Sequence, residues 1–425
     1  MSHDAVRRSI EAVWRIESAK LIAALTRVTR DVGIAEELAQ DALVTALEQW
    51  PQQGVPDNPA AWLMAAAKHR AIDRLRRLQM QARKHEEIGR ELEELERAMP
   101  DFDAGLDDDI GDDLLRLLFI SCHPVLSTEA RVALTLRLLG GLTTDEIARA
   151  FLVSEAAVAQ RIVRAKRTLS EARVPFDLPP ATELGERLGS VLEVVYLVFN
   201  EGYAATAGDD WMRPALCEEA LRLGRVLTGL APREPEVHGL VALMEIQASR
   251  THARTAADGT PILLLEQNRA RWDQLLIRRG LAALQHAEQL GGTLGPYALQ
   301  AAIAACHARA AHAGDTDWER IAALYDALAQ LTQSPVVELN RAVALAMAYG
   351  PAAGLELVDT LQSEAQLKNY HLLPSVRGDL LFKLGRLDEA RTEFERAAAM
   401  TRNAREQRFL LGRAAACSET PSRLQ

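Results

Sequence analysis

Apolar residues recur at three- and four-residue spacing along almost the whole chain, which predicts a succession of amphipathic helices and no run of strand alternation. A first helix is expected over 12–25. A second, from about Ile34 to Trp50, carries one apolar row of Ile34, Leu38 and Ala42 and another of Leu43, Leu47 and Trp50. Glu36, Glu37, Gln40, Asp41 and Glu48 stay polar, which gives an acidic outer side. Residues 50–58, WPQQGVPDN, are expected to break that helix with two prolines and a glycine, before Pro59 opens a third helix over 59–78. A short apolar helix follows at 114–121 and another at 126–139, capped by Ser127 or Thr128.

The stretch 142–169, LTTDEIARAFLVSEAAVAQRIVRAKRTL, reads as two short helices around a tight turn. Thr143 and Glu146 have the spacing of a capping box, with Ile147, Ala148 and Phe151 on the buried side. Ser154 caps the second helix, and Val158, Ile162, Ala165 and Leu169 form its apolar stripe. Ala156, Gln160, Arg164 and Arg167 point outward, with Ala157 and Arg161 on the flank. Small residues there allow close approach to a major groove, and the cations reach phosphates or guanine edges. An ordinary helical hairpin with a solvated basic surface fits the same pattern.

Beyond Pro180 the chain stays helical. Residues 184–200 are largely apolar and read as a buried helix, 258–261 (DGTP) form a turn, and ILLLE at 262–266 reads as a short strand or as the entry to a helix. From about residue 280 a period close to 34 emerges. Gly314, Gly350 and Gly385 are spaced 36 and 35 apart, Tyr325 and Leu328 suit an earlier unit, and Gly378, Gly385, Ala390, Phe394 and Ala397 fit the tetratricopeptide pattern. Three to four degenerate repeats are expected, stacked with a concave face free for a protein or ligand. Arg254, Asp258, Gln267, Asn268, Arg269, Trp272 and Asp273 form a polar cluster in sequence, read either as the lining of a small pocket or as helix caps and surface pairs.

Composition changes this picture little: 48% of residues are hydrophobic and only 5% aromatic, which suits close-packed helices. Charge changes it more. The net charge of -10 excludes a globally basic nucleic-acid binder, so any such contact must come from a local patch. The charges are segregated. Lys68, Arg70, Arg74, Arg76 and Arg77 crowd the second half of the third helix, with Asp73 the one acid among them, whereas residues 86–113 carry thirteen acids against Arg90 and Arg97. That acidic run reads as an extended linker. Cys122, Cys217, Cys306 and Cys417 lie far apart, so neither a disulfide framework nor a zinc site is encoded, and Cys122-His123 and Cys306-His307 lack a second ligand pair. With no signal core and no apolar run of about twenty residues, the chain is expected in the cytoplasm, with no membrane partner and no cofactor. No nucleophile–base pair, phosphate-binding glycine loop or metal cluster stands out, so no enzymatic activity is expected.

Three segments in this order carry a resemblance. AEELAQDALVTALEQW, NPAAWLMAAAKHRAIDRLRR and DEIARAFLVSEAAVAQRIVRAKRTL are similar to the second conserved region, the promoter-opening helix and the C-terminal helix-turn-helix of a group IV (extracytoplasmic-function) sigma factor of bacterial RNA polymerase. ISCHPVLSTEARVALTLRLLGGLTTDEIARAFLV and VVYLVFNEGY resemble the subgroup with a fused tetratricopeptide-like domain. The resemblance implies an all-α fold: a region 2-like domain over 1–82, an acidic linker over 83–112, a region 4-like helix-turn-helix domain over 113–176, a helical connecting domain over 177–285 and helical repeats over 286–425. It implies core RNA polymerase and promoter DNA as partners, with an unidentified protein or ligand at the repeats. Glu36, Leu38, Gln40, Asp41, Leu43 and Leu47 would dock on the polymerase. Gln52, Asp57 and Asn58 would hold a flipped minus-ten base, with Trp50 or Trp62 able to stack. Lys68, Arg70, Asp73, Arg74, Arg76 and Arg77 would follow the opened strand, and Ala156, Ala157, Gln160, Arg161, Arg164 and Arg167 would contact the minus-thirty-five element. The linker carboxylates would mimic nucleic acid in the RNA exit path.

Overall fold

The computed structural model describes residues 3–82, 109–151, 153–180, 182–205, 207–208, 212–256, 260–291 and 294–419; the side chains of residues 3–5, 15, 72–82, 109–112, 149, 207–208 and 419 are outside that description. The acidic run at 83–108 therefore lies outside the described residues. The fold is all-α, apart from one parallel pair of two-residue strands, β1 (Ala207–Gly208) and β2 (Arg402–Asn403), that ties distant parts of the chain together.

Two compact units divide the chain, 1–197 and 198–425. In the first, α1 (His3–Thr29), α2 (Val32–Gln53) and α3 (Pro59–Ala82) pack around Ile22, Leu25, Leu38, Ala42, Trp50 and Leu63. Asp31 caps α2 by accepting from the Ile34 amide at 2.9 Å. The helix does not stop at Trp50. It continues through Pro51 to Gln53, because a proline in the last turn forfeits one backbone bond while Gly54, at φ +88°, closes the end with its amide on the Trp50 carbonyl. Asn58 then caps α3, its Oδ1 accepting from the Ala61 amide at 3.1 Å.

The helix α4 (Asp109–Ser121) begins five residues before the expected Leu114 and takes over the end of the acidic run. Asp113 is buried there between Arg27 and Arg116, at 3.4 and 2.8 Å, so this carboxylate joins α1 to α4 and is no spacer residue. The helices α5 (Thr128–Leu138), α6 (Thr144–Phe151) and α7 (Glu155–Glu171) follow, and the unit closes at Leu197 within α8 (Leu184–Tyr203). The division between the units falls inside α8, whose N-terminal part is held to the first unit by polar contacts: Arg187 donates to the Phe119 carbonyl, Ser190 to the Cys122 carbonyl, and Arg131 to Glu193.

The second unit is a succession of helices: α9 (Pro214–Leu230), α10 (Pro235–Ala248), α11 (Gln274–Gln289), α12 (Pro296–Arg309), α13 (Trp318–Thr332), α14 (Pro335–Tyr349), α15 (Pro351–Leu361), α16 (Leu372–Lys383), α17 (Leu387–Met400) and α18 (Ala404–Glu419). From α12 onward each helix packs against the next in sequence. ILLLE forms no strand and does not run into an α-helix: Thr255 and Pro261 make an isolated antiparallel bridge, the last three residues of the segment form a short 3-10 turn (Leu264–Glu266), a second follows at Arg269–Arg271, and α11 starts only at Gln274. Ala390, Phe394 and Ala397 are buried where the repeat pattern puts them, and Leu328 likewise. The periodic glycines serve differently from one another. Gly350 and Gly385 end helices at positive φ, Gly314 sits in an open 3-10 turn, and the close crossings are made by Gly354 and Gly378.

A Cβ on Gly354 would lie 2.5 Å from the Ala342 carbonyl oxygen and 2.6 Å from the Ala346 Cβ. Gly354→Ala therefore forces α14 and α15 apart and is expected to cost about 1–3 kcal/mol, read as a lower midpoint in denaturant unfolding.

Candidate nucleic-acid interface

The helix pair α6–α7 is built as the residue pattern dictates. The Thr143 amide donates to the Glu146 carboxylate at 2.8 Å and the Glu146 amide to the Thr143 hydroxyl at 3.1 Å, so both free donors of the helix start are satisfied. Ser154 Oγ accepts from the Ala157 amide at 3.2 Å and sets the start of α7. Val158, Ile162, Ala165 and Leu169 are buried against α5 and α6, and Ile147 and Ala148 are buried from the other side, with Phe151 half-buried. That burial fixes the rotation of α7.

The rotation leaves Ala156, Ala157, Gln160, Arg164 and Arg167 exposed, with Arg161 half-buried on the flank. Arg167 pairs with Glu171 at 2.7 Å across one exposed turn, a contact too solvated to hold it from another anion. The result is a protruding helix with two alanines at its start and cations farther along. Such a surface can enter a groove and meet phosphates.

On α3, Lys68 is half-buried, and Arg70 reaches back to α2, donating to Thr45 Oγ1 at 2.6 Å and lying 3.4 Å from Asp41. Two residues given separate roles by the sequence, Arg70 for DNA and Asp41 for polymerase, thus pair with each other. Asp73, Arg74, Arg76 and Arg77 belong to α3 by backbone, and their side chains lie outside the described residues. Gln52, Asp57 and Asn58 are exposed at the α2–α3 turn. Trp50 is 2% exposed and forms an edge contact with Trp62, centroids 5.3 Å apart, so Trp50 belongs to the core and Trp62 alone keeps a partly open ring.

The outer side of α2 differs from the expected one at two acidic or polar positions and at Leu38. Glu36 and Leu38 are buried, and Gln40 is half-buried, donating to Glu36 at 2.6 Å. Glu36 receives Arg137 of α5 at 2.7 Å and Lys166 of α7. Burial pushes its carboxyl up, but the two cations outweigh that and leave it below its ordinary value of 4.5. Lys166 has a role that helical periodicity in α7 could not reveal, because its partner lies 130 residues away. The surface that α2 does present is Glu37, Asp41, Val44, Leu47 and Glu48, with Leu43 half-buried beside it. Val44 and Leu47 are exposed apolar residues in the middle of that acidic stripe. Glu37, Asp41 and Glu48 of the expected outer side are thus exposed, whereas the burial of Glu36 follows from cations that spacing within α2 cannot show.

In the second unit, a cavity of about 640 Å³ opens among Trp318, Val343, Met347, Phe382, Phe394 and Phe409. Arg413 lines it, 4.8 Å from the Phe394 ring centroid and 2.7 Å from Asp379. Burial pushes the Cys122 thiol up to about 11 and the Cys217 thiol to about 12, so both hold their protons at neutral pH. Among the described residues, no helix is long and apolar enough to cross a membrane.

Comparison with known families agrees with the order of the elements. Residues 16–80 match sigma-70 region 2, residues 116–169 match sigma-70 region 4, and residues 187–288 match a family of unknown function, DUF6596. The uncharacterised protein R00370 of Rhizobium meliloti is 45% identical over 388 residues, which span 91% of this chain and 90% of that protein. The probable ECF RNA polymerase sigma factor SigI of Mycobacterium tuberculosis is 25% identical over 178 residues, 40% of this chain and 58% of SigI. The ECF RNA polymerase sigma factor SigK of Mycobacterium ulcerans is 29% identical over 149 residues, 34% of this chain and 75% of SigK. No solved structure matches the chain. The chain belongs to one family with R00370, and its regions 2 and 4 make it a sigma factor of the extracytoplasmic-function type.

Proposed function

We propose that the chain binds core RNA polymerase, reads minus-ten and minus-thirty-five elements of a promoter and starts transcription, with the second unit as a regulatory or interaction module of tetratricopeptide-like helix pairs. The observation that carries this reading is the exposed face of α7, where Ala156, Ala157, Gln160, Arg161, Arg164 and Arg167 surround a helix start held by Ser154. Gln52, Asp57, Asn58 and the half-open ring of Trp62 offer polar contacts and stacking surface for an unpaired base beside α3. The basic end of α3 would follow phosphates, a contact that weakens steeply with salt. The chain contributes binding, and the polymerase carries out the bond chemistry. The cavity beside Arg413 is the candidate site for the protein or ligand sensed by the second unit. A one-component operator-binding regulator accounts for α7 but has no use for the stripe Glu37, Asp41, Val44, Leu47 and Glu48 on α2.

Run-off transcription with purified core polymerase tests the reading: specific initiation is expected only when the chain is added, and its absence on every template of a promoter library contradicts the proposal. In the same preparation, Leu47→Asp is expected to weaken core binding by about tenfold or more, since an exposed leucine buried on docking is worth about 1.5–3 kcal/mol.

A further inference from the structure

Where α8 ends and the loop into α11 passes, three arginines alternate with two aromatic rings. Arg254 Cζ lies 3.5 Å from the Tyr203 ring centroid, Arg250 Cζ lies 5.8 Å from the same ring and 5.9 Å from Trp272, and Arg269 Cζ lies 4.9 Å from Trp272. The order is therefore Arg254, Tyr203, Arg250, Trp272, Arg269. Ring faces offset part of each positive charge but supply no anion. Arg250 is 8% exposed, and among the described residues no carboxylate forms an ion pair with it or with Arg269. Asp315 is the weakest of the influences on Arg269, behind burial and the repulsion of Arg250.

Hydrogen bonding leaves the same gap. Arg269 donates to the His307 and Ala310 carbonyls at 2.5 and 2.6 Å and to Thr316 Oγ1 at 3.2 Å, yet its Nε has no partner. Arg250 Nε, Trp272 Nε1 and His307 Nδ1 are buried without a partner as well. Burial and the two neighbouring guanidinium groups push His307 down to about 4, so it adds no charge of its own at neutral pH. A buried charge is tolerated when it is paired, and unsatisfied buried donors are rare, so cations and open donors gathered in one place describe half of an interaction. The open Nε–H groups of Arg250 and Arg269 are charged donors, and an oxyanion oxygen is the acceptor that suits them.

We infer that this stack binds a small oxyanion, either phosphate itself or a phosphoryl or carboxylate group of a larger molecule, with Arg250 and Arg269 as the charged contacts and Trp272 as a neutral donor. Of the cluster marked in the sequence, Arg254, Gln267 and Trp272 are buried and Arg269 is half-buried. Asn268 and Asp273 act as caps, accepting from the Ala270 amide and from the Leu275 and Leu276 amides, and Asp258 lies outside the described residues.

Isothermal titration of the full chain with inorganic phosphate, sulfate and citrate at constant ionic strength tests the inference. Saturable binding of at least one is expected, weakened about tenfold or more in Arg250→Gln and unchanged in Arg271→Gln, an exposed arginine of the same loop. Binding of phosphate and sulfate without citrate assigns the phosphoryl class, and binding of citrate alone assigns the carboxylate class. No saturable binding of any of the three overturns the inference, as does equal affinity in the Arg250→Gln chain. If that variant does not fold, Arg269→Gln replaces it, read together with the unfolding temperature of the unaltered chain. A rise with phosphate no larger than the rise with chloride also overturns the site.

Discussion

Glu36→Ala is expected to lower the stability of the first unit by about 2–4 kcal/mol, because removing one partner of a buried ionic group strands the others. The stranded groups are Arg137 and Lys166, each still about a fifth exposed (23% and 22%), which keeps the cost toward the lower part of that range. For a unit of this size the loss corresponds to a fall of roughly 5–12 °C in its unfolding transition, measurable by scanning calorimetry. The pH dependence has a definite sign. The folded carboxyl titrates below 4.5 and the unfolded one near 4.5, so its contribution is complete above that value and is lost as the pH falls through the folded one. The stability gap between the natural chain and Glu36→Gln should therefore be constant from pH 8 to 6 and close on acidification below 4.5; a gap that widens in acid contradicts the pairing. Because Arg137 and Lys166 belong to α5 and α7, the same experiment reports on the contact between the region 2 and region 4 parts of the unit.

Replacing Arg161 and Arg164 together by alanine is expected to reduce promoter affinity by about 2–6 kcal/mol if both read bases, at roughly 1–3 kcal/mol each. The affinity of the holoenzyme for a promoter recovered by in vitro selection measures it. A second outcome is informative. If the cations contact phosphates instead, the loss is uniform across sequences, and the slope of log affinity against log salt falls by about one per contact removed. Unchanged affinity removes α7 from the interface. Neither substitution should disturb the fold, since the burial of Val158, Ile162, Ala165 and Leu169 holds the helix in place.

Alone, the sequence determined whatever depends on neighbours within a few residues. The capping box of Thr143 and Glu146, the Ser154 cap, the apolar stripe of α7 and the burial of Ala390, Phe394 and Ala397 all follow from spacing, because a helix places i, i+3 and i+4 on one side whatever surrounds it. The order of the region 2 and region 4 segments was legible for the same reason, since each is a local pattern. Tertiary structure alone decided which of the acids of α2 turns inward. Glu36 and Glu37 are equally acidic in sequence, and only the cations of α5 and α7, brought back from about 100 and 130 positions away, draw Glu36 inward and leave Glu37, Val44 and Leu47 to solvent. The same holds for Arg250, which no spacing distinguishes from a surface arginine until Tyr203 and Trp272 close around it. Charge pairing and desolvation act through space, and so the sites they create become visible only once the chain is folded.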